Sequence, residues 1–225
     1  MRITKTGISK LDEMLGGGLP KYSLTTVSGP AGSGKSILAT QFLVNGIREF
    51  TEPGMYIVLE ENKDIYLSSM EKFNFNLVDL IRDGLLTIIE FPQHEVNQLF
   101  IPTNPLKELI EQYGTSRVVI DSIMPIAIAF DNNIERQRAF LQLVSNIRKW
   151  YTTTIIISEN ISRTTDISMP YTNYGIENLS QAWIHLYFEK TRRGRERFLE
   201  VLKVKGMSHS TKITKFKITE EGIVF

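Results

Sequence analysis

The stretch Gly29-Pro30-Ala31-Gly32-Ser33-Gly34-Lys35-Ser36 decides the fold that this sequence predicts. It follows the apolar run Thr25-Thr26-Val27-Ser28 and opens a segment with helical periodicity. The eight residues match the pattern G-x-x-x-x-G-K-[ST], which requires a strand before it and a helix after it. A glycine turn that binds nothing is the alternative interpretation. The pattern and its context favour a phosphate-binding loop, called the P-loop below.

Each residue type in the P-loop has a physical role in binding a nucleotide. Glycines allow backbone N–H groups and the helix N-terminus to face phosphate oxygens. Lys35 can neutralise the β- and γ-phosphate oxygens, and the Ser36 hydroxyl can ligate Mg²⁺. We therefore predict that ATP binds along the whole loop and at Ile37, the residue that follows it.

Apolar runs rich in β-branched residues alternate with segments of helical periodicity. The runs predict strands at 23–28, 55–59, 85–91, 117–120 and 153–158, and the periodicity predicts helices at 36–50, 63–73, 104–113 and 134–150. Such alternation predicts an α/β fold with a mainly parallel, twisted sheet flanked by helices.

After residue 183 the sequence predicts strands alone, at 183–190, 198–205, 214–219 and 223–225, with a turn over 191–197. Strands joined by short turns pair antiparallel, so we expect an antiparallel extension of the sheet. The chain has one P-loop motif and neither an internal repeat nor a low-complexity linker. A single domain over residues 1–225 is therefore expected.

Composition narrows the classes of function. Of the 225 residues, 42% are hydrophobic and 23% are charged, as in ordinary globular proteins. The chain has no cysteine, which excludes disulfides, thiolate nucleophiles and cysteine-containing zinc sites. A net charge of +1 means that nucleic-acid binding would need a local basic patch. No apolar run approaches the roughly 20 residues that span a bilayer, and we expect a cytoplasmic protein without membrane segments.

Three carboxylates follow predicted strands. Asp121 ends the run that starts at Arg117, an arrangement that holds a magnesium-bound water beside the P-loop hydroxyl, so Ser36 and Asp121 are the predicted metal residues. Glu60 and Glu61 follow the run 55–59, and one of them could orient or deprotonate the attacking water. Alternatively, Asp121 is a helix cap or a turn residue, and the two glutamates are solvated acids in the first turn of the next helix.

Five stretches together resemble the KaiC-like branch of the RecA/RadA ATPases, which includes archaeal RadA paralogues. They are the P-loop, Glu60-Glu61, Asp121-Ser122, TGISKLDEMLGGGLP at 6–20 and KVKGMSH at 203–209. The resemblance covers nearly the whole chain. It implies a RecA-like fold, an ATPase that uses Mg²⁺, and a homo-oligomer, with a hexamer as one candidate, that binds ATP between neighbouring subunits.

The resemblance also assigns roles to residues outside the P-loop. Glu60 would be the catalytic base, with Glu61 beside it. Lys203 and Lys205 match a Lys-x-Arg pair that reaches the neighbour's γ-phosphate, although a lysine at the second position lacks the planar fork of arginine. His209 matches a histidine near the nucleotide. Without the resemblance, the lysines would be solvated residues on one strand face, and His209 a hydrogen-bonding surface residue.

Two segments raise the question of a DNA partner. The predicted hairpin carries Arg192, Arg193, Arg195 and Arg197. A solvated turn is the favoured interpretation and contact with a phosphate backbone the alternative. The segment 161–175, with Arg163, Tyr171 and Tyr174, occupies the place of a mobile channel loop in RecA-like proteins. An ordered surface loop is favoured there, and stacking on single-stranded DNA is the alternative.

Two functions are consistent with these patterns. The first is an ATPase whose turnover changes the shape of an oligomer, in recombination, repair or signalling. The second is a module that binds DNA or a protein when ATP is present and hydrolyses ATP negligibly, which Lys205 in place of arginine favours. The autophosphorylation of KaiC does not follow automatically from the resemblance, because the chain has one P-loop motif and shows no clear match to the acceptor residues of KaiC. Autokinase activity therefore stays an open question.

Overall fold

The structure of the protein is a computed structural model that describes residues 2–92, 95–96, 99, 105–159, 170, 172, 174–192 and 194–225. Its strands are β1 (Ile3–Thr4), β2 (Leu19–Pro20), β3 (Leu24–Gly29), β4 (Gly54–Val58), β5 (Leu86–Glu90), β6 (Arg117–Asp121), β7 (Thr153–Glu159), β8 (Ala182–Thr191), β9 (Gly194–Val204), β10 (Thr214–Thr219) and β11 (Gly222–Val224). Its helices are α1 (Ser9–Met14), α2 (Lys35–Phe50), α3 (Lys63–Met70), α4 (Leu77–Arg82), α5 (Pro105–Gln112), α6 (Met124–Ile128) and α7 (Asn133–Trp150). Within the described ranges, no helix is long and apolar enough to cross a membrane.

In the described part of the chain, nine strands form one sheet in the order β11-β10-β9-β8-β3-β7-β6-β4-β5. The six strands from β8 to β5 pair in parallel. Strands β9, β10 and β11 pair antiparallel at the other end of the sheet. The predicted α/β fold, with a mainly parallel sheet and a C-terminal antiparallel extension, is thus confirmed.

The hairpin between β8 and β9 is tighter than the sequence predicted. The predicted turn over 191–197 is wrong, because β8 continues to Thr191 and β9 already begins at Gly194. Glu189 pairs with Glu196 and Lys190 with Arg195 in this ladder. Exposed strands of this kind carry charges instead of an apolar run, so the signal that identified the other strands is missing here.

The sheet divides the core into two layers, as strand β4 illustrates. Tyr56 and Val58 pack with the first layer, whereas Met55 and Ile57 pack with the second. Alternate side chains of a strand point to opposite faces of a sheet. Helices α1 to α4 supply the first layer, and α5 to α7 supply the second. Burial on both faces is why these strands appear in the sequence as continuous apolar runs.

The parallel register brings several strand ends to one edge of the sheet. Gly29 at the end of β3 pairs with Glu159 at the end of β7. Val58 at the end of β4 pairs with Asp121 at the end of β6. The P-loop and the residues after β4, β6 and β7 therefore meet at the carboxyl edge, where open α/β sheets bind ligands.

Arg117 anchors the opposite end of β6. Its side chain is 1% exposed. Its Nε donates a hydrogen bond to Glu52 Oε2 (2.7 Å), and its Nη1 donates to the Phe42 carbonyl oxygen (2.8 Å). The guanidinium carbon lies 4.6 Å from the centre of the Phe42 ring. A buried cation is tolerated only with such partners, so Arg117 joins helix α2 to the start of β6.

Replacing Arg117 with alanine is expected to lower the free energy of unfolding by roughly 3 kcal/mol, the lower end of the cost of breaking a buried ion pair, because Glu52 keeps some access to solvent. Urea denaturation followed by circular dichroism measures this change. Arg82→Ala is the matched control, since Arg82 pairs with Asp79 on the surface and should move the midpoint little. Equal shifts for the two variants would contradict the anchoring role of Arg117.

Candidate functional site

The P-loop runs from the end of β3 into the first turn of α2, which begins at Lys35. Gly34 precedes the helix with φ of 105°, a conformation that residues with a Cβ rarely adopt. A Cβ on Gly29 would lie 2.4 Å from the Leu186 carbonyl oxygen. Glycine is therefore required at both positions. The loop leads into a helix of 16 residues, whose N-terminus favours an anion.

The exposure of the P-loop changes along its length. Ala31 and Gly32 are exposed at its tip, Ser33 is buried, and the residues from Gly34 to Ile37 are partly buried. Ile37 also packs against the first core layer. The tip can therefore meet a ligand, while the second half of the loop is fixed to the core.

Lys35 folds back onto the loop that precedes it. Its Nζ donates hydrogen bonds to the carbonyl oxygens of Gly29 and Pro30, both at 3.0 Å. Burial lowers the pKa of Lys35, and the nearby carboxylates of Glu159, Asp121 and Glu60 act in the opposite direction. The ammonium group therefore lies inside the loop and next to a cluster of acids.

Ser36 and Asp121 are in direct contact. Ser36 Oγ donates a hydrogen bond to Asp121 Oδ2 (2.8 Å), and the Tyr56 hydroxyl donates to the same oxygen (2.5 Å). Burial raises the pKa of Asp121, whereas these two hydrogen bonds and the charge of Lys35 lower it. Helix α6 has its N-cap at Ile123. Asp121 is thus the last residue of β6 and not a helix cap.

Glu60 lies beside Ser122, the residue after β6. Ser122 Oγ donates a short hydrogen bond to Glu60 Oε1 and accepts one from the Met124 backbone N–H (3.1 Å). Desolvation raises the pKa of Glu60, and the charges of Asp121 and Glu159 add to this effect, whereas Ser122 and Lys35 oppose it. A carboxylate with a raised pKa accepts a proton more readily at neutral pH.

Glu61 lies outside helix α3, as Glu60 does. The helix begins at Lys63, and its N-cap is Asn62, whose side chain accepts a hydrogen bond from the Ile65 N–H (2.9 Å). Both glutamates therefore belong to the segment between β4 and α3. The alternative interpretation is wrong in placing them in the first helical turn, although both residues are exposed to solvent, as it predicted. Desolvation and the charges of Asp121 and Glu60 raise the pKa of Glu61.

Sequence reasoning missed Glu159. It ends β7 opposite Gly29, the first residue of the P-loop. Its charge acts on Lys35 and on the pKa values of Glu60 and Asp121. The sequence contained a signal for Glu159: an acid directly after the apolar run 153–158 repeats the pattern that identified Asp121.

A buried polar network lies on β3 and β8 directly below the P-loop. Ser28 Oγ accepts a hydrogen bond from Trp183 Nε1 (2.7 Å) and lies 2.8 Å from His185 Nδ1. Burial, followed by the charge of Lys35, lowers the pKa of His185 to about 4. His185 gave no usable signal in the sequence, because its burial depends on the pairing of β8 with β3.

The structure does not bring Lys203, Lys205 and His209 to the P-loop of their own chain. The Lys205 backbone N–H donates a hydrogen bond to the Gln181 carbonyl oxygen. The Gln181 N–H in turn donates to the carbonyl oxygen of Leu24, at the start of β3. Five residues of strand, roughly 16 Å, separate Leu24 from Gly29. Lys203 Nζ donates to the Glu177 carbonyl oxygen (2.5 Å). His209 Nδ1 lies 3.1 Å from the Ser210 carbonyl oxygen. This contact agrees with the alternative that His209 is a hydrogen-bonding surface residue.

Two arginines of the β8–β9 hairpin, Arg195 and Arg197, contact the protein itself. Arg197 Nε donates to the Gly32 carbonyl oxygen (3.0 Å), and its guanidinium lies 4.3 Å from the centre of the Phe188 ring. Arg195 Nη1 donates to the Phe188 carbonyl oxygen (3.1 Å). Arg192 is exposed. Arg197 therefore supports the tip of the P-loop, which neither sequence interpretation anticipated.

Part of the predicted DNA segment lies outside the described residues. This applies to Arg163 and Tyr171, and also to Arg193 in the hairpin. Tyr174 is described, and its ring centre lies 5.6 Å from the guanidinium of Arg136. The interpretation of 161–175 as a DNA-contacting loop stays a prediction.

Comparison with known proteins agrees with this arrangement. A family model described as "ATPase: KaiC" matches residues 4–225. The chain belongs to the KaiC ATPase family. The crystal structure of a KaiC-like protein from the archaeon Pyrococcus horikoshii OT3 superposes with a TM-score of 0.86 at 27% identity and covers 99% of this chain and 98% of that one. The predicted KaiC-like fold of the RecA type is thereby confirmed, and membership of this family is consistent with a nucleotide-binding ATPase.

Two relatives illustrate the range of the family. The circadian clock oscillator protein KaiC of Synechococcus elongatus is 32% identical over 227 residues, which are 97% of this chain and 43% of that protein. A "UPF0273 protein" of Aeropyrum pernix is 29% identical over 234 residues, 98% of this chain and 92% of that protein. The chain thus spans less than half the length of the KaiC relative and nearly the whole of the second.

His185 makes the free energy of unfolding dependent on pH. Its pKa is about 4 in the folded chain and about 6.5 when unfolded. The unfolded state therefore binds more protons between these values, so the contribution of His185 is complete above pH 6.5 and is lost as the pH falls towards 4. We expect a slope of up to about 1.4 kcal/mol per pH unit, measured by urea denaturation from pH 4.5 to 7.5.

His185→Gln tests this assignment, because glutamine does not titrate. The pH-dependent slope between pH 4.5 and 6.5 should decrease in the variant, whatever the change in absolute stability. A slope identical to that of the unmodified chain would show that other groups cause the acid sensitivity.

Proposed function

We propose that this protein is a Mg²⁺-dependent ATPase that converts ATP and water to ADP and phosphate, and that it works as a homo-oligomer with nucleotide at the subunit contacts. The observation that carries the proposal is the convergence of Lys35, the Ser36–Asp121 pair and Glu60 at one sheet edge. Membership of the KaiC ATPase family supports it. We extend the proposal to one ATPase domain over residues 1–225 that acts in the cytoplasm.

The P-loop would hold the phosphates of ATP. Lys35 would exchange its hydrogen bonds to the carbonyl oxygens of Gly29 and Pro30 for contacts with the β- and γ-phosphate oxygens. The N–H groups at the start of α2 would contribute further donors. Arg197 would keep the exposed tip of the loop in place through the Gly32 carbonyl.

The oxygen atoms beside the loop fit Mg²⁺. This ion prefers oxygen ligands and is usually bound by one or two protein groups together with substrate phosphates. The Ser36 hydroxyl and the Asp121 carboxylate lie 2.8 Å apart and would hold the ion together. Bound there, Mg²⁺ would neutralise charge on the phosphate oxygens.

Glu60 would take the proton from the attacking water. Ser122 donates a hydrogen bond to one carboxylate oxygen and so restrains the orientation of Glu60. The raised pKa of Glu60 means that the ionised, basic form appears only as the pH rises through that pKa. Turnover should therefore fall as the pH decreases through this range.

The position of Lys203 supports catalysis between subunits. Lys203 contacts Glu177 near the amino end of the parallel strands, whereas the P-loop lies at the carboxyl end. Its ammonium would therefore meet a phosphate only in a neighbouring copy of the chain. Lys205 lies beside Gln181 at the same end of the strands, and in this proposal Lys205 and His209 would belong to the same contact.

A second candidate is a module that binds DNA or a protein when ATP is present and hydrolyses ATP negligibly. Lys205 favours it, because lysine offers a point charge where the resemblance expects the planar fork of arginine. The steady-state rate of phosphate release with saturating Mg²⁺ and ATP distinguishes the two candidates. The biological process, whether recombination, repair or signalling, stays open in both.

Glu60→Gln is expected to leave ATP affinity unchanged and to lower turnover by roughly 10²-fold, the usual scale of a general base. Phosphate release measures turnover, and equilibrium binding of a fluorescent ATP analogue measures affinity. Glu61→Gln is the matched control and should retain most of the turnover. If Glu61→Gln loses turnover and Glu60→Gln keeps it, the base is Glu61.

Mixing a Lys203→Ala chain with a Lys35→Ala chain is expected to restore part of the ATPase activity. Some contacts would then join an intact P-loop to an intact Lys203, although each variant alone is inactive. Native mass spectrometry must first show that mixed oligomers form. Mixed oligomers as inactive as either variant alone would disprove the role of Lys203 across the contact.

A further inference from the structure

Tyr56 lies directly behind the proposed magnesium carboxylate. It is the central residue of β4, and its side chain is 0% exposed. Its hydroxyl donates to Asp121 Oδ2 at 2.5 Å, and Ser36 Oγ donates to the same oxygen at 2.8 Å. A phenylalanine would fill nearly the same space in the core. The hydroxyl is therefore a feature of the site and not a requirement of packing.

A second tyrosine extends this contact towards helix α2. Tyr66 of α3 is 1% exposed, and its ring centre lies 4.2 Å from that of Tyr56. Its hydroxyl lies 2.9 Å from Thr40 Oγ1, which itself donates to the Ser36 carbonyl oxygen at 2.8 Å. Because the single hydroxyl proton of Thr40 is already used, Tyr66 must donate to Thr40.

The two tyrosines therefore converge on one residue by two routes. Tyr56 reaches the Ser36 side chain through Asp121, and Tyr66 reaches the Ser36 backbone through Thr40. Tyr66 also belongs to α3, the first helix after Glu60 and Glu61. The two rings, which are tilted by 31° to each other, thus connect the segment that carries the proposed base to the residues that would hold the metal.

We propose that Tyr56 and Tyr66 are positioning residues that hold Ser36 and Asp121 in the arrangement that binds Mg²⁺, so that their hydroxyl groups determine metal affinity and not nucleotide affinity. This inference rests on the proposed Mg²⁺-dependent ATPase. A hydrogen bond to a carboxylate is stronger than one between neutral groups, and a fixed buried donor restricts the rotation of the carboxylate. Tyr56 therefore carries the larger part of the effect.

The chain offers a matched control. Tyr187 on β8 donates a hydrogen bond to Glu200 Oε2 at 2.5 Å, so it is also a tyrosine bound to a carboxylate. Glu200 is not among the acids that act on Lys35, Glu60 or Asp121. Tyr187→Phe removes the same chemical contact away from the proposed metal residues.

The experiment measures Mg²⁺ binding to the ADP-saturated chain by isothermal titration calorimetry, for the unmodified chain and for Tyr56→Phe, Tyr66→Phe and Tyr187→Phe. Tyr56→Phe should weaken Mg²⁺ binding roughly tenfold or more, the scale of a hydrogen bond to a charged group. Tyr66→Phe should weaken it roughly two- to fivefold, the scale of a neutral hydrogen bond. Tyr187→Phe should leave it unchanged, and ADP affinity without Mg²⁺ should be the same in all four proteins.

Each outcome has a defined meaning. A folded Tyr56→Phe with unchanged Mg²⁺ affinity would overturn the inference while leaving the proposed ATPase intact. If the unmodified chain itself binds ADP but no Mg²⁺, the proposed function fails and not merely this inference. If Tyr56→Phe does not fold, Tyr66→Phe decides, and an unchanged Mg²⁺ affinity in that variant would also overturn the inference. Equal weakening in Tyr187→Phe would mean that general destabilisation is the cause.

Discussion

The hydrogen bond between Ser36 Oγ and Asp121 Oδ2 joins the two parts from which the candidate site is built. Ser36 stands at the start of helix α2, and Asp121 at the end of β6, with β7 between β6 and the strand that leads into the P-loop. The contact forms only when α2 packs across the sheet and the parallel strands end in register. The charged groups of Lys35, Glu60 and Glu159 lie around this pair.

The charges around this contact explain why the site would need a cation. Among the described residues, the carboxylates of Glu60, Asp121 and Glu159 all act on the ammonium group of Lys35. ATP would bring further negative charge to an acidic cluster, which is unfavourable where solvent is partly excluded. Mg²⁺ beside Ser36 and Asp121 would offset this repulsion. The same crowding of carboxylates contributes to the raised pKa of Glu60.

The direction of the strands separates the two ends of the protein. Parallel strands place the P-loop at the carboxyl edge, and the antiparallel return of β9 carries Lys203 back towards the amino edge. One chain therefore presents the phosphate loop on one side and the basic residues 203–209 on the other. Copies of such a chain can combine the two only by contact between neighbours, which is the basis of the proposed oligomer.

The sequence by itself determined the P-loop, the alternation of strands and helices, and the acids at the ends of β4 and β6. These features depend on local chemistry, because glycines, a lysine and a serine at fixed spacing are recognisable without a fold, and doubly buried strands are continuous apolar runs. Near their turn, the strands of the β8–β9 hairpin are largely exposed and carry no continuous apolar run. The sequence therefore predicted their ends, and the turn between them, wrongly.

Only the tertiary structure decided which of these residues meet. The pairing of β3 with β7 and β8 placed Glu159 beside Gly29 and His185 beneath the loop. The packing of α2 and α3 against β4 brought Tyr56, Tyr66 and Thr40 to Ser36. Thr40 and Tyr66 are 26 positions apart in the sequence, and Ser28 and His185 are 157 positions apart, so no spacing pattern reports their contacts. Their proximity follows from strand order and helix packing, which depend on the burial of the whole core.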